Sequence, residues 1–119
     1  DLNDILRKSS LISLHIPLDK KNKYFLNNEK IKKLKKNCII INTSRGDIVE
    51  EKFIYKKILN KKIIYITDVI GNFLKGKLKY LSKYRKNFLY TKHVAGLTRE
   101  SIQKTDNFIL KKFLDDINL

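Results

Sequence analysis

CIIINTSRGDIV, residues 38–49, is the stretch of sequence that decides the fold of this chain. A run of β-branched residues ends in a short polar turn that carries Arg45 and Gly46, and an apolar, helix-compatible pattern starts just beyond it. This pattern predicts a buried strand that delivers a charged side chain to its carboxyl end. In open α/β sheets ligands bind outside the carboxyl ends of parallel strands, and a guanidinium suits a carboxylate. Arg45 is therefore a candidate anion-binding residue, and the alternative is a residue that caps or pairs at the strand end.

Outward from this stretch, strand patterns alternate with helix patterns. Strands are predicted over 11–16, 38–42, 63–67 and 88–91. Helices are predicted over 1–10, 28–36, 50–60 and from residue 99 onward. Strands that alternate with amphipathic helices predict an α/β fold, in which flanking helices cover a parallel sheet.

Several local features of these helices are also predicted. Asn28 is expected to cap the second helix, and Asn60 to end the third in a left-handed conformation. Residues 71–87 are expected to form a basic loop with a hint of a short helix. Thr98 is expected to cap the last helix, in which apolar residues are spaced for one buried face: Ile102, Phe108, Ile109, Phe113 and Leu114.

The formal charge of +15, from 27 Lys and Arg against 12 Asp and Glu, raises nucleic acid or an anionic surface as a partner. The excess is almost all lysine and accompanies abundant Ile and Asn, as a genome biased toward A and T would produce. The lysines are spread over every segment, and no aromatic and basic pattern of a nucleic-acid module accompanies them. We therefore interpret the charge mainly as solvated surface, and we do not expect a nucleic-acid partner.

The chain of 119 residues fits one small domain or part of a larger one. It starts at Asp1 and contains no Met, which favours a fragment. We find no apolar signal segment and no long uncharged apolar run, and we therefore expect a cytoplasmic protein without a membrane partner. The lone Cys38 suits a reducing compartment, and its apolar strand argues against a catalytic thiol. No metal site is predicted.

Four strand ends carry polar residues. These ends are His15-Ile16-Pro17-Leu18, Asn42-Thr43-Ser44-Arg45-Gly46, Asp68-Val69 and His93-Val94-Ala95-Gly96. Because the ends of parallel strands share one edge, we expect one crevice to receive an arginine, an aspartate and two histidines. Each motif is weak alone, since an isolated histidine is more often a hydrogen-bonded structural residue.

Together and in this order, the motifs resemble the D-isomer-specific 2-hydroxyacid dehydrogenases, the family of phosphoglycerate, glycerate and erythronate-phosphate dehydrogenases. The blocks that carry the resemblance, with fitting spacing, are DILRKSSLISLHIPL (4–18), LKKNCIIINTSRGDIVEE (34–51), TDV (67–69) and HVAGLTRES (93–101). The resemblance implies that residues 1–119 are the second half of a Rossmann-type NAD(P)-binding domain, without the glycine-rich phosphate loop and the substrate domain. It also implies an oxidoreductase that acts on the CH–OH group of a D-2-hydroxy acid, with NAD or NADP as cofactor, and a homodimeric full-length protein.

The same resemblance implies roles for individual residues. Arg45 and His93 would be catalytic: Arg45 would bind the carboxylate and carbonyl oxygen of the small 2-hydroxy or 2-keto acid, and His93 would exchange a proton with the C2 hydroxyl. The remaining cofactor-binding positions would be Pro17, Thr43, Ser44, Asp68, Ala95 and Gly96, with Arg45 and His93 also beside the nicotinamide.

Two departures from the family pattern bear on activity. The family places a glutamate after the Asp-Val pair, as D-V-F-x-x-E-P, to hold the catalytic histidine, whereas no Asp or Glu occurs here between Asp68 and His93. A G-x-G-x-x-G turn is also absent from the sequence. We therefore expect the chain alone to turn over little or no substrate. The alternatives are a degenerate, non-catalytic Rossmann binding module and, from charge alone, a basic nucleic-acid-binding fragment.

Overall fold

Four parallel strands form the centre of the molecule. A computed structural model describes residues 1–116. The strands are β1 (Leu11–Leu14), β2 (Cys38–Asn42), β3 (Ile63–Thr67) and β4 (Phe88–Tyr90), and they lie in the order β1-β2-β3-β4. All three pairings are parallel, and one row of the register joins Ile12, Ile40, Tyr65 and Phe88. The predicted parallel α/β architecture is confirmed.

Helices connect the strands. They are α1 (Leu2–Lys8), α2 (Asn28–Lys33), α3 (Glu51–Leu59), α4 (Asn72–Lys75), α5 (Leu78–Leu81) and α6 (Arg99–Asp116), with 3-10 turns at Gly46–Ile48 and Ser82–Tyr84. The prediction of a loop over 71–87 is wrong, because α4, α5 and the 3-10 turn Ser82–Tyr84 all lie within it, whereas the hint of a short helix is confirmed. Their Leu74 and Leu81 side chains are completely buried, so packing against the core orders this lysine-rich segment.

The core lies on one face of the sheet. Ile40 and Tyr65 point from the central strands into a cluster formed with the helices, which contribute Leu6, Ile31, Ile54, Ile58, Leu74 and Leu81. Side chains alternate along each strand, so the other face carries a second apolar set. In that set Leu11 and Leu89 are 52% and 54% exposed, and four isoleucines between them are half-buried. We call this set the open sheet face: Leu11, Ile39, Ile41, Ile64, Ile66 and Leu89.

Two predicted helix ends are wrong by one residue. The cap of α2 is Asn27, not Asn28, and its Oδ1 accepts a hydrogen bond from the Lys30 amide at 3.1 Å. At the end of α3, Asn60 keeps a φ of −80° and Lys61 takes the left-handed conformation, with a φ of 53°. The Lys61 and Lys62 amides donate to the last helical carbonyls, so the reversal is a Schellman motif whose left-handed position falls one residue later than predicted.

The last helix differs most from its prediction. Thr98 does cap α6, since its Oγ1 accepts from the Ser101 amide at 3.1 Å. The apolar residues of α6, however, are not buried by any element within residues 1–116, and Phe108 is 68% exposed. Periodicity predicts which side chains share a face, but the face is buried only where another element packs against it. None of the helices in residues 1–116 is long and apolar enough to cross a membrane.

The first strand and second helix are also shorter than predicted. β1 ends at Leu14 rather than at residue 16, and α2 ends at Lys33 because Leu34 is already extended, with a ψ of 135°. Ile31 and Leu34 are both buried in the core.

Candidate functional site

The turn that carries Arg45 is organised by the side chain of Asn42, the last residue of β2. Asn42 is completely buried; its Oδ1 accepts from the Ser44 amide at 3.0 Å, and its Nδ2 donates to the Arg45 carbonyl at 3.0 Å. Nδ2 also lies 3.2 Å from the hydroxyl oxygen of Tyr65 on β3. A buried amide that bonds both ends of a turn holds that turn in one conformation. The sequence signal for this role was a polar residue on the buried face of an otherwise apolar strand.

Arg45 lies in a cavity at the carboxyl edge of β1 and β2. The cavity has a volume of about 410 Å³, and its lining includes His15, Pro17, Ser44 and Arg45. The Ser44 hydroxyl donates to the Leu14 carbonyl at 2.8 Å and so joins the two strand ends. The exposed Arg45 guanidinium donates to the Ser44 carbonyl at 2.7 Å and keeps further donors for a ligand. The Thr43 side chain is also exposed.

The turn that carries His93 is held by Asp68, which follows β3. One carboxylate oxygen accepts hydrogen bonds from the Thr91 hydroxyl and, at 2.9 Å, from the Val94 amide. The other oxygen accepts from the Ala95 amide at 2.9 Å, and the Asp68 carbonyl accepts from the His93 amide at 3.0 Å. Asp68 thus fixes the backbone on both sides of His93.

Two physical features of this turn follow from those bonds. His93 has a φ of 58°, a left-handed conformation that is unfavourable for a residue with a side chain, so the surrounding bonds must maintain it. Burial of the Asp68 carboxyl group would raise its pKa, but the three hydrogen bonds and the charge of His93 outweigh burial and lower the pKa of Asp68.

The loops after β2 and β3 are in direct contact. A Cβ atom on Gly46 would lie 2.2 Å from the Gly71 nitrogen, so only glycine fits at that position. The buried Glu51 carboxylate accepts from the amides of Gly71 and Leu74 and so anchors the start of α4. Burial raises the pKa of Glu51, and the negative charge of Asp47 raises it further. The two hydrogen bonds act in the opposite direction but do not cancel the effect of burial. Glu51 was not predicted as part of the site, because nothing in the sequence distinguishes it from other acidic residues near a helix start.

The family glutamate has no counterpart here. Counted from Asp68, the D-V-F-x-x-E-P pattern places it at Phe73, whose ring packs edge-on against Tyr55 with the ring centroids 5.7 Å apart. A phenyl ring cannot hold or charge a histidine. Within the described residues, no carboxylate side chain is hydrogen-bonded to the His93 ring.

The predicted site residues therefore form two groups. His15, Pro17, Ser44 and Arg45 line one cavity, and the turn of His93 to Ala95 is bonded to Asp68. Asn42 joins the groups, because its carbonyl accepts from the Asp68 amide at 3.0 Å. The cavity of Arg45 is not lined by His93, so the expected single crevice is present as two adjoining parts. Gly96 follows the second group, and a Cβ atom on it would meet no atom within 4 Å.

Comparison with known proteins identifies this arrangement. A family model described as the NAD binding domain of D-isomer specific 2-hydroxyacid dehydrogenases matches residues 1–95. The chain belongs to this dehydrogenase family. The resemblance predicted from the sequence is thereby confirmed, and the parallel sheet is the one expected of its Rossmann-type domain.

Relatives and solved structures agree with the dehydrogenase assignment. The chain is 38% identical over 105 residues to glyoxylate reductase of Thermofilum pendens. The aligned region covers 87% of this chain and 31% of the reductase. D-lactate dehydrogenase of Escherichia coli superposes with a TM-score of 0.76 at 33% identity, over 87% of this chain and 33% of that one. D-lactate dehydrogenase of Aquifex aeolicus, solved with NAD and lactic acid, superposes with a TM-score of 0.70 at 25% identity. That superposition covers 97% of this chain and 40% of the Aquifex chain.

The dehydrogenase chain thus spans less than half of the length of each of these relatives. The family's domain is described as NAD-binding, in agreement with the cofactor expected from the sequence. The family is also one of enzymes that act on hydroxy acids, in agreement with the expected class of substrate.

Proposed function

We propose that the protein is an NAD(P)-dependent oxidoreductase that interconverts a D-2-hydroxy acid and the corresponding 2-keto acid, and that this chain supplies the nicotinamide and substrate-carboxylate part of its site. The observation that carries the proposal is the placement of Arg45 and His93 on two rigid turns that follow β2 and β4, the parallel strands on either side of β3, at the same edge of the sheet. Asn42 fixes the first turn and Asp68 the second.

The two side chains supply complementary chemistry. The Arg45 guanidinium is a permanent cation with a planar fork of donors, so it binds and orients the carboxylate of the acid. His93 gives a proton to the C2 oxygen during reduction and removes it during oxidation, as an imidazole general acid and base can do. Asp68 is a positioning residue, since it bonds the backbone of the His93 turn.

The residues present fit the nicotinamide end of the cofactor. The space around a Cβ atom on Gly96 is open, and Pro17, Ser44 and Arg45 line a cavity of about 410 Å³ at the same edge of the sheet. Pro17, Thr43, Ser44, Asp68, Ala95 and Gly96 would surround that end of the cofactor. The nicotinamide itself supplies hydride transfer. No G-x-G-x-x-G turn occurs in the sequence, so another part of the protein would bind the pyrophosphate.

We also propose that residues 1–119 are part of one NAD(P)-binding domain, whose remainder covers the open sheet face. A parallel sheet normally has both faces covered, and here the uncovered face is apolar. The chain spans 31–40% of the length of the relatives compared above. The 119 residues alone are therefore expected to show little or no turnover.

Activity of the full-length protein tests the proposed reaction. NADH and NADPH oxidation would be followed with glyoxylate, hydroxypyruvate and pyruvate for the wild type, Arg45→Lys and His93→Asn. Loss of the proton donor is expected to lower kcat at least about 100-fold, and Arg45→Lys to raise KM because the bidentate fork is lost. Arg7→Lys, an exposed arginine at the other edge of the sheet, serves as the control. Full activity of His93→Asn would contradict the proposal.

A second candidate is a non-catalytic binding module of the same fold. Phe73 at the position of the family glutamate favours it, because His93 then lacks an acidic partner. This candidate predicts a protein that binds NADH, measured by fluorescence titration, without oxidising it in the presence of any of the three keto acids. Turnover of any of them by the full-length protein would exclude it.

A further inference from the structure

Basic residues gather at the amino edge of the sheet, opposite the candidate site. Each strand is preceded by a basic pair: Arg7-Lys8, Lys35-Lys36, Lys61-Lys62 and Arg85-Lys86. Because the strands are parallel and adjacent in sequence order, the pairs lie side by side along one edge. The loops that carry them contact one another, as the Asn37 amide donates to the Lys62 carbonyl at 2.8 Å. We call these eight residues the basic rim. Lysines that are spread evenly along the sequence are thus concentrated by the fold.

The charge of the basic rim is largely uncompensated. All eight side chains are exposed. Of the two ion pairs among the described side chains, one involves the rim, between Lys8 and Asp4 at 3.2 Å. Lys57 near the rim has a lowered pKa, caused first by burial and then by the charge of Lys62. Five of the 12 acidic residues instead follow strand ends at the opposite edge: Asp19, Asp47, Glu50, Glu51 and Asp68. The molecule therefore has a basic edge that a polyanion would neutralise.

A basic groove lined by one tyrosine continues the rim. It has a volume of about 780 Å³, and its lining includes Lys61, Tyr84, Arg85 and Lys86. The ring of Tyr84 packs against that of Tyr80, with centroids 5.7 Å apart and planes at 40°. Tyr80 is 45% exposed. Tyr84 is half-buried against the core, so Tyr80 offers the exposed ring. A basic groove beside an exposed aromatic ring can bind a phosphate backbone and stack a base at the same time.

We propose that the basic rim and the Tyr80–Tyr84 pair form a binding surface for single-stranded nucleic acid, without sequence preference. This surface lies at the edge opposite the candidate active site, so it does not depend on the proposed reaction. Four strands about 4.8 Å apart make a rim about 15 Å long, and one phosphate contact at each of the four basic pairs gives about four contacts. The rim loops contain Ser and Asn rather than large apolar residues. This composition favours nucleic acid over a lipid surface, where apolar side chains would insert.

Two variants of equal net charge test the surface. The rim variant carries Lys36→Gln, Lys62→Gln, Arg85→Gln and Lys86→Gln. The control variant carries Lys20→Gln, Lys21→Gln, Lys104→Gln and Lys111→Gln, so each loses four positive charges from exposed positions away from the other set. Binding of the purified protein to fluorescein-labelled U12 RNA and dT12 DNA would be measured by anisotropy between 25 and 200 mM salt, after circular dichroism shows that each variant is folded.

We expect the wild type to bind both probes with a slope of log K against log salt near about −3, as about four phosphate contacts require. The rim variant should bind at least about tenfold more weakly, while the control variant should stay within about twofold of wild type because its lysines lie off the surface. Tyr80→Ala should weaken binding about fivefold or more, and Tyr80→Phe should preserve it, because the ring stacks and the hydroxyl does not.

Three results would overturn the proposal. One is the absence of binding at 25 mM salt. A second is equal weakening by the rim and control variants, which would assign binding to net charge. The third concerns two other probes, vesicles that contain phosphatidylserine and a 12-base-pair duplex. If the rim binds either probe at least as strongly as it binds the single strands, the proposal is wrong.

Discussion

Asp68 connects the chemistry of the candidate site to the stability of the fold. Its carboxylate accepts three hydrogen bonds and lies only 4% exposed, so Asp68→Asn should lower the free energy of unfolding by about 1–3 kcal/mol. The pKa of Asp68 is lowered in the folded state. The stabilisation by the Asp68 carboxylate is therefore complete above the pKa that this group has in the unfolded chain. It is lost as the pH falls through the lower pKa that the group has in the folded protein. Urea unfolding from pH 7 down to pH 2 measures this loss, and a profile for Asp68→Asn as steep as that of the wild type would contradict it.

Lys61 is expected to be a conformationally unfavourable residue. A side chain in the left-handed region costs about 1–2 kcal/mol, and Lys61→Gly removes this cost. Because glycine also makes the unfolded chain more flexible, the free energy of unfolding should rise by only about 0.5–1 kcal/mol. Lys62→Gly is the control, because Lys62 has no positive φ and should lose about 0.5–1 kcal/mol. Thermal denaturation of both variants distinguishes them, and stabilisation by Lys62→Gly alone would refute the assignment.

The loops after β2 and β3 behave as one structural unit because their backbones touch at Gly46. Gly46→Ala would place a Cβ atom 2.2 Å from the Gly71 nitrogen and 2.4 Å from the Ile70 carbonyl carbon, so it should destabilise the fold by about 1–3 kcal/mol. It should also displace the Arg45 turn. Gly76→Ala is the matched control: its Cβ would meet ordinary contacts at 3.7 Å, and it should be neutral or stabilising. Chemical unfolding and substrate KM would both be measured, and equal effects of the two substitutions would contradict the contact.

The sequence predicted the positions of the strands better than it predicted the tertiary contacts of the helices. The boundaries of β2 and β3 were predicted correctly, because a polar turn follows each run of β-branched residues. The left-handed position after α3 was misplaced because no glycine marks it. The burial of α6 was wrong because periodicity within a helix carries no information about what packs against it. At the site, the motifs predicted Arg45 and His93 through a family resemblance, while the supporting Glu51 required tertiary contacts to be recognised.

The molecule as a whole has one covered and one uncovered sheet face. Leu89→Gln tests the proposal that the remainder of the domain covers the uncovered one. In the 119-residue chain, where Leu89 is 54% exposed, the substitution should change the free energy of unfolding by less than about 0.5 kcal/mol. In the full-length protein it should cost about 1.5–3 kcal/mol, because a buried leucine is lost. Equally small effects in both proteins, measured by urea unfolding, would show that this face stays open.

The strand order has a consequence for synthesis. Within residues 1–116, β2, β3 and β4 each pair with the strand made just before: Ile12 pairs with Ile40, Ile40 with Tyr65, and Tyr65 with Phe88. As the nascent chain leaves the ribosome, each of these three strands therefore finds its earlier partner already present. The sheet can grow from its first strand to its last at the pace of translation, one strand and one connecting segment at a time.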